Sequence, residues 1–309
     1  MRENMMDGFS ISGLVGAAAY ALMVAWTQPA QADDFVGMQT VYETKAEDTL
    51  PDIARRFDVG YVEIRIANPG IDPWLPGAGK WLNIPTLHII PQAARRGIVI
   101  NLPELRLYYF ASDNKVMSFP LGIGGEGKET PLGTTTVKRK RPHPTWIPTA
   151  SEHAENPDLP ALVPPGPENP MGDFALYLGW PGYAIHGTNK PYSIGRRDSH
   201  GCIRLYPDDI DVLFHAVREG TPVTVVNEPI KAGWSNGELY VEVHPYELDA
   251  DAIETKGKAL TPATIDIDEV VTAAAGDAID RVDWSAVGKA KRERTGIPVQ
   301  VTRPADGAQ

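Results

Sequence analysis

Proline and glycine punctuate this chain from end to end, with 28 of one and 29 of the other among its residues. Proline removes a backbone donor and blocks helix interiors, and glycine weakens helices and strands alike. A bundle of long helices is therefore excluded, and short strands joined by turns are the expected currency of the fold. A hydrophobic content of 42% still provides for packed cores. A length of 309 residues suggests two domains and a tail. The charge balance, 29 Lys+Arg against 40 Asp+Glu for a net −11, argues against a nucleic-acid partner, because neutralising phosphates needs an excess of cations. The single cysteine, Cys202, excludes an internal disulfide framework and any zinc site built on several thiolates. No three or four potential ligands converge at characteristic spacing, so neither a metal nor a cofactor is expected.

The apolar run Ile11 to Trp26 is short for a membrane span. Ala30-Gln31-Ala32 follows as a small-x-small cleavage signature, then polar Asp33-Asp34. Residues 1–32 read as a secretory signal peptide, and the mature protein as exported; an uncleaved N-terminal anchor is the alternative. In an oxidising compartment a solitary thiol is either buried and inert or functional.

Between residues 40 and 86 the pattern is strand, helix, helix, strand. Val41 and Tyr42 open it, and Asp48-Thr49 is a capping signal before Leu50, Ile53, Ala54 and Phe57 at helical spacing. A second short helix carries Val62, Ile64 and Ile66 to Asn68-Pro69, and a strand returns at Trp81, Leu82 and Ile84. Residues 87–97 read as a linker. Beyond it come Ile98–Leu102 and Leu105–Phe110 as a hairpin, then strands at Val116–Phe119 and Thr134–Val137. Lys138 to Arg141 is basic, and such a run at a strand end usually marks a solvated edge. His143 to Gly172 is proline-rich and aperiodic; Trp146 and Trp180 near its ends favour an ordered lid. Strands follow at Ala175–Leu178 and Tyr183–Ile185. A helix opens at Pro207, with acids in its first turn and Ile210, Leu213, Phe214 and Val217 as its buried stripe. His215, after that stripe, reads as structural. Val223–Val226 reads as a closing strand. The remainder, 228–303, reads as an accessory region with one hairpin strand, a helical stretch and a last strand, and 304–309 as a disordered tail.

The segment Ile185 to Leu205 reads IHGTNKPYSIGRRDSHGCIRL. A free thiol is only a few per cent thiolate at neutral pH, and it becomes a strong nucleophile when an imidazole takes its proton. His186 and Cys202 stand at the two ends of a loop containing Pro191, Gly195 and Gly201, which can bring them together. Gly201 allows close approach of a substrate carbonyl to the amides around Cys202. His200 is also near enough to serve as the base.

His186-Gly187 followed by Ser199-His200-Gly201-Cys202, with Thr130-Pro131-Leu132-Gly133 and the glycine-rich Gly122–Gly127 upstream, resembles the signature of the L,D-transpeptidases, the YkuD-type catalytic domain, over residues 97–227. The stretch 40–86 resembles a LysM module through Asp48, Thr49, Leu50, Ile53, Ala54, Phe57, Asn68, Leu82, Ile84 and Pro85, although Glu47 and Asp58 replace common glycines. The module and the Trp146–Pro148 segment are similar to the Gram-negative periplasmic branch. Arg204 stands where many members carry Asn. The resemblances imply an α+β, predominantly β fold, with a sheet-rich catalytic domain behind a βααβ module. They imply Cys202 as nucleophile, His186 as base, the Gly187 carbonyl orienting the imidazole, and His200 and Gly201 shaping the site. Ser199, Arg204, Trp146 and Tyr183 would then bind substrate. The implied partners are peptidoglycan stem peptides and glycan, with an amine of a second stem or of an outer-membrane lipoprotein or β-barrel protein as acceptor, in the periplasm. A hydrolase using the same cysteine and a peptidoglycan-binding adaptor are the competing functions.

Overall fold

The computed structural model describes residues 34–113, 115–261 and 266–304. The expected export signal and its cleavage signature at Ala32 lie outside the described residues, as do residues 305–309 of the tail. The chain opens with β1 (Phe35–Gly37) and β2 (Thr40–Glu43), then α1 (Leu50–Arg56), α2 (Tyr61–Ala67), β3 (Trp81–Ile84) and β4 (Leu87–Ile89). Strands β2 and β3 pair antiparallel, closing the strand–helix–helix–strand arrangement legible in the sequence. Thr49 caps α1 by accepting the Asp52 amide at 3.3 Å, and Leu50, Ile53 and Ala54 go into a small core with Ile64, Leu82 and Ile84.

The central sheet uses β5 (Gly97–Asn101), β6 (Arg106–Phe110) and β7 (Val116–Pro120), then β9 (Gly133–Pro142) after a two-residue β8 (Ile123–Gly124). Helix α3 (Ala150–Glu155) lies in the proline-rich segment, followed by β10 (Phe174–Leu178), β11 (Ala184–His186), β12 (Arg197–Ser199) and β13 (Ile203–Arg204). Helix α4 (Pro207–Ala216) leads to β14 (Pro222–Val226). Eight of these strands form one mixed sheet in the order β13-β11-β10-β9-β14-β5-β6-β7. One face packs on α4, whose Phe214 lies 4.6 Å from Phe174 between ring centroids. The opposite face carries Ala175 and Ala184 in a cluster with Met171, Trp146 and Cys202. Side chains alternate along a strand, so β10 sends Phe174 and Leu176 to the core and Ala175 and Tyr177 to the other side.

The C-terminal region contains β15 (Ile230–Ser235), β16 (Glu238–Val243), α5 (Ala250–Lys256), α6 (Ile267–Ala275), α7 (Trp284–Glu293) and β17 (Val299–Gln300). Its three-stranded sheet buries Leu239 and Val241 against Val271 and Val287, a core of its own. Helix α5 instead joins the central core through Ala250 and Ile253, beside Val62 and Ile66 of α2. The fold is predominantly β with short helices, as the sequence predicts.

Three local expectations are corrected. Residues 87–97 are more than a linker, because β4 pairs antiparallel with β1. The basic run Lys138–Arg141 is solvated but is not a strand end. Strand β9 continues through it to Pro142, paired along it with β10, while β14 pairs only with Gly133–Thr136. The closing strand β14 sits inside the sheet, parallel to β5. His215 is exposed, its ring against Phe174 and Phe214.

His88 and His244, which have no context in the sequence, sit in a buried polar junction. Lys231 Nζ lies 2.5 Å from Glu104 Oε2 and 2.9 Å from Glu242 Oε1, and all three side chains are fully enclosed. His244 Nε2 meets Glu242 at 2.7 Å, while Arg106 pairs with Glu63 of α2 at 3.0 Å. His88, Glu104 and Glu242 come close enough to hold a metal ion, but the Lys231 ammonium already supplies the cation there. Burial alone would push the lysine toward neutrality; the two carboxylates outweigh that and hold its pKa up.

Candidate active site

A cleft of about 580 Å³ opens on the face of the sheet opposite α4, with His186, Cys202, Arg204, Trp146, Arg139 and Arg141 in its walls. His186 ends β11 and is 6% exposed. Its Nδ1 lies 2.6 Å from the Gly187 carbonyl. A carbonyl only accepts, so Nδ1 carries the proton and the neutral ring keeps the lone pair on Nε2. Burial pushes the imidazole pKa down to about 4 against the pull of that carbonyl.

Cys202 sits beyond the loop, where its sulfur lies 3.5 Å from the Gly182 carbonyl. Burial pushes the thiol pKa up, opposed by the Ala184 amide. The cleft thus holds a thiol whose pKa burial raises and an imidazole whose pKa burial lowers.

The turn presenting Cys202 is internally braced. Ser199 Oγ donates to the Cys202 carbonyl at 2.6 Å and accepts the Gly201 amide at 3.1 Å. Ser199, expected to touch substrate, has its hydroxyl engaged in the loop. Gly201 has φ +100°, and a Cβ there would come within 2.9 Å of the Tyr183 ring. Tyr183 therefore packs behind the turn. Thr130 Oγ1 donates to the Gly201 carbonyl at 2.9 Å and accepts the Gly124 amide at 3.2 Å, tying the glycine-rich segment to the turn.

The loop between His186 and Cys202 is pinned from outside as well. The amides of Tyr61 and Val62, opening α2, donate to the carbonyls of Ile194 and Gly195 at 3.3 and 3.1 Å. Gly195 (φ +77°) has no room for a side chain, since a Cβ would lie 2.2 Å from the Tyr61 nitrogen. Tyr192 adds a bond to Asp52 at 2.9 Å.

His200 does not face the thiol. Its ring nitrogens lie 3.6 Å from Glu152 and 2.9 Å from Glu155, both on α3. Lys128 reaches Glu155 at 2.6 Å. The proline-rich segment is thus an ordered lid latched by His200 and Lys128. Trp146 bridges Val163 within it, and fully buried Asn169 donates to the carbonyls of Pro144, Val163 and Pro164.

Sequence reasoning missed Arg139 and Arg141. They lie two apart on one strand, so both face the cleft, while Lys140 turns to the Val217 carbonyl on the other side at 2.6 Å. The period-2 alternation was the available signal, and it was masked by reading the four charges as one block. Arg204 is also in the cleft, paired with Asp198 at 2.7 Å.

A mixed sheet that carries a lone thiol and a carbonyl-oriented imidazole in one lidded cleft defines the class of protein. The chain belongs to the L,D-transpeptidase family: residues 95–225 match the YkuD L,D-transpeptidase catalytic domain. It is 41% identical over 297 residues to the probable L,D-transpeptidase YbiS of Escherichia coli strain K12, covering 93% of this chain and 95% of that one. It is 38% identical over 311 residues to the probable L,D-transpeptidase ErfK/SrfK of the same organism, covering 97% of each. Among solved structures, the NMR structure of the catalytic domain from the E. faecium L,D-transpeptidase shares 26% identity and a TM-score of 0.35, over 44% of this chain and 100% of that one.

Proposed function

We propose that the protein is a periplasmic cysteine acyltransferase acting on peptidoglycan stem peptides. The observation that carries this reading is the bond from His186 Nδ1 to the Gly187 carbonyl, which leaves Nε2 as a base in the cleft that holds Cys202. In the first step Cys202 Sγ gives its proton to His186 Nε2 and attacks the carbonyl of the third residue of a tetrapeptide stem, meso-diaminopimelate. The oxyanion falls to the amide of Cys202, since that of Gly201 is held by Ser199. The C–N bond to the terminal D-Ala breaks, its nitrogen takes the proton from His186, and a thioester remains. An acceptor amine then attacks the thioester, its proton passes to His186, and the sulfur leaves, taking that proton back as the thiol. A diaminopimelate amine as acceptor gives a 3→3 crosslink, and a lysine of an outer-membrane protein gives an anchored protein. Water as acceptor would give hydrolysis; the latched lid supports transfer by limiting water access.

The 40–86 module fits a glycan-facing role through Trp74, Leu75 and Trp81, which stand 59%, 78% and 68% exposed. The test is incubation of the mature protein with purified disaccharide-tetrapeptide and a candidate lipoprotein, followed by mass spectrometry. A muropeptide dimer, or a protein–muropeptide adduct, with loss of D-Ala is the expected result. Neither product, with Cys202 unmodified, would sink the reading.

A further inference from the structure

Across four strands the cleft floor is a single register row. Arg141 of β9 pairs with Ala175 of β10, Ala175 with His186 of β11, and His186 with Arg204 of β13. Paired residues share a face, and neighbouring strands lie about 4.8 Å apart. His186 therefore has a guanidinium-bearing residue on each side, one strand away at Arg204 and two strands away, about 10 Å, at Arg141. The intervening residue is Ala175, which leaves the floor between His186 and Arg141 open. Arg139 occupies the next row on the same side, stacked over Tyr177 at 4.4 Å, with Tyr177 paired to Ala184.

The two sides differ in charge. Arg204 is neutralised by Asp198. Among the described residues, neither Arg139 nor Arg141 has a carboxylate within ion-pair distance, and both are exposed to the cleft. Two unpaired guanidiniums stand together in a protein of net charge −11. Their preferred ligand is a carboxylate, which a planar guanidinium binds by two parallel hydrogen bonds.

The chemistry, taken on the acyl-transfer reading above, says which carboxylate. His186 must protonate the departing nitrogen and later deprotonate the entering one, so both nitrogens occupy the same place, beside Nε2. Cys202 and Arg204 flank the acyl side, because they adjoin along the chain, which leaves the β9 side for the nitrogen-bearing group. A departing amino acid carries its carboxylate one carbon from that nitrogen. We propose that Arg141, supported by Arg139, is a specificity-determining clamp for the carboxylate next to the leaving nitrogen. The clamp would make the site select donors whose departing amino acid carries a free carboxylate.

The experiment compares release of D-Ala from disaccharide-tetrapeptide with release of D-alaninamide from the same muropeptide amidated at its C-terminus. Wild type, Arg141→Gln, Arg141→Lys and Arg139→Gln are compared by kcat/KM. Wild type should prefer the free carboxylate by about 10- to 100-fold. Arg141→Gln should lose most of that preference, with the loss falling on the carboxylate substrate, and Arg141→Lys should recover part of it. Arg139→Gln should show a smaller change in the same sense. The Cys202 alkylation rate, measured in each variant, checks that the nucleophile is intact. An active wild type whose preference survives in Arg141→Gln, or a variant slowed equally on both substrates, overturns the clamp alone. A wild type that releases neither group overturns the acyl-transfer reading, and the clamp with it.

Discussion

At the scale of single residues, burial shifts the two ionisable groups of the cleft toward their uncharged forms. Burial lowers the His186 pKa to about 4 and raises that of Cys202, so both are neutral at pH 7. A preformed thiolate–imidazolium pair would alkylate at a constant rate across neutral pH. This site should instead show a Cys202 alkylation rate that keeps climbing with pH through and beyond the usual thiol range near 8.5. Iodoacetamide kinetics between pH 5 and 10 measure this (a flexible window set about neutrality, roughly as thiol titration requires), and a neutral plateau would refute it. The same burial has a stability consequence. A histidine whose folded pKa is depressed binds fewer protons folded than unfolded between about 4 and its free value, so its contribution is present above that free value and is lost as pH falls through the window. Residue types alone singled out Cys202 and His186. They did not reveal that Ser199 braces the turn or that His200 latches the lid, because each role depends on a partner distant in sequence.

At the scale of elements, the proline-rich lid is held by side chains rather than by regular structure. Asn169 gives its amide hydrogens to three carbonyls and accepts the Met171 amide at 2.9 Å. Replacing it with Ala leaves the buried Pro144 carbonyl and Met171 amide unmatched, at about 1–3 kcal/mol for each group left unsatisfied. Asn169→Ala should speed amide hydrogen exchange across residues 144–171 without changing that of the central sheet, and should raise hydrolysis relative to transfer. Exchange mass spectrometry reads the first effect, and unchanged protection of the segment would show that Asn169 does not hold it. The helix at Pro207 was legible because proline, two acids and an apolar stripe all agree on one period. The extension of β9 through Lys138–Arg141 was not, because its charged residues belong to a strand whose faces look into a cleft and onto a helix, neither of which is visible in local pattern.

At the scale of the whole molecule, the N-terminal module, the central sheet and the C-terminal region are joined by buried charges. Glu63 answers Arg106, and Lys231 answers Glu104 and Glu242. Removing one member strands the others in a low-dielectric interior, which typically costs about 3–5 kcal/mol. Lys231→Met should therefore destabilise the protein by about that amount in urea unfolding, although it lies outside the catalytic cleft; a loss below about 1 kcal/mol would mean the junction is not fully desolvated. The fold class, the main strands and helices, and the candidate pair His186 and Cys202 were present in the sequence by itself, because proline and glycine spacing, apolar period and the histidine–cysteine motif are local properties. Only the tertiary structure decided that Arg139 and Arg141 line the cleft that holds Cys202, that α2 pins the loop between His186 and Cys202, and that His88 and Lys231 share one buried junction. Each of those facts is a contact across the sheet or between regions, where strand order and register, rather than neighbours along the chain, determine which groups meet.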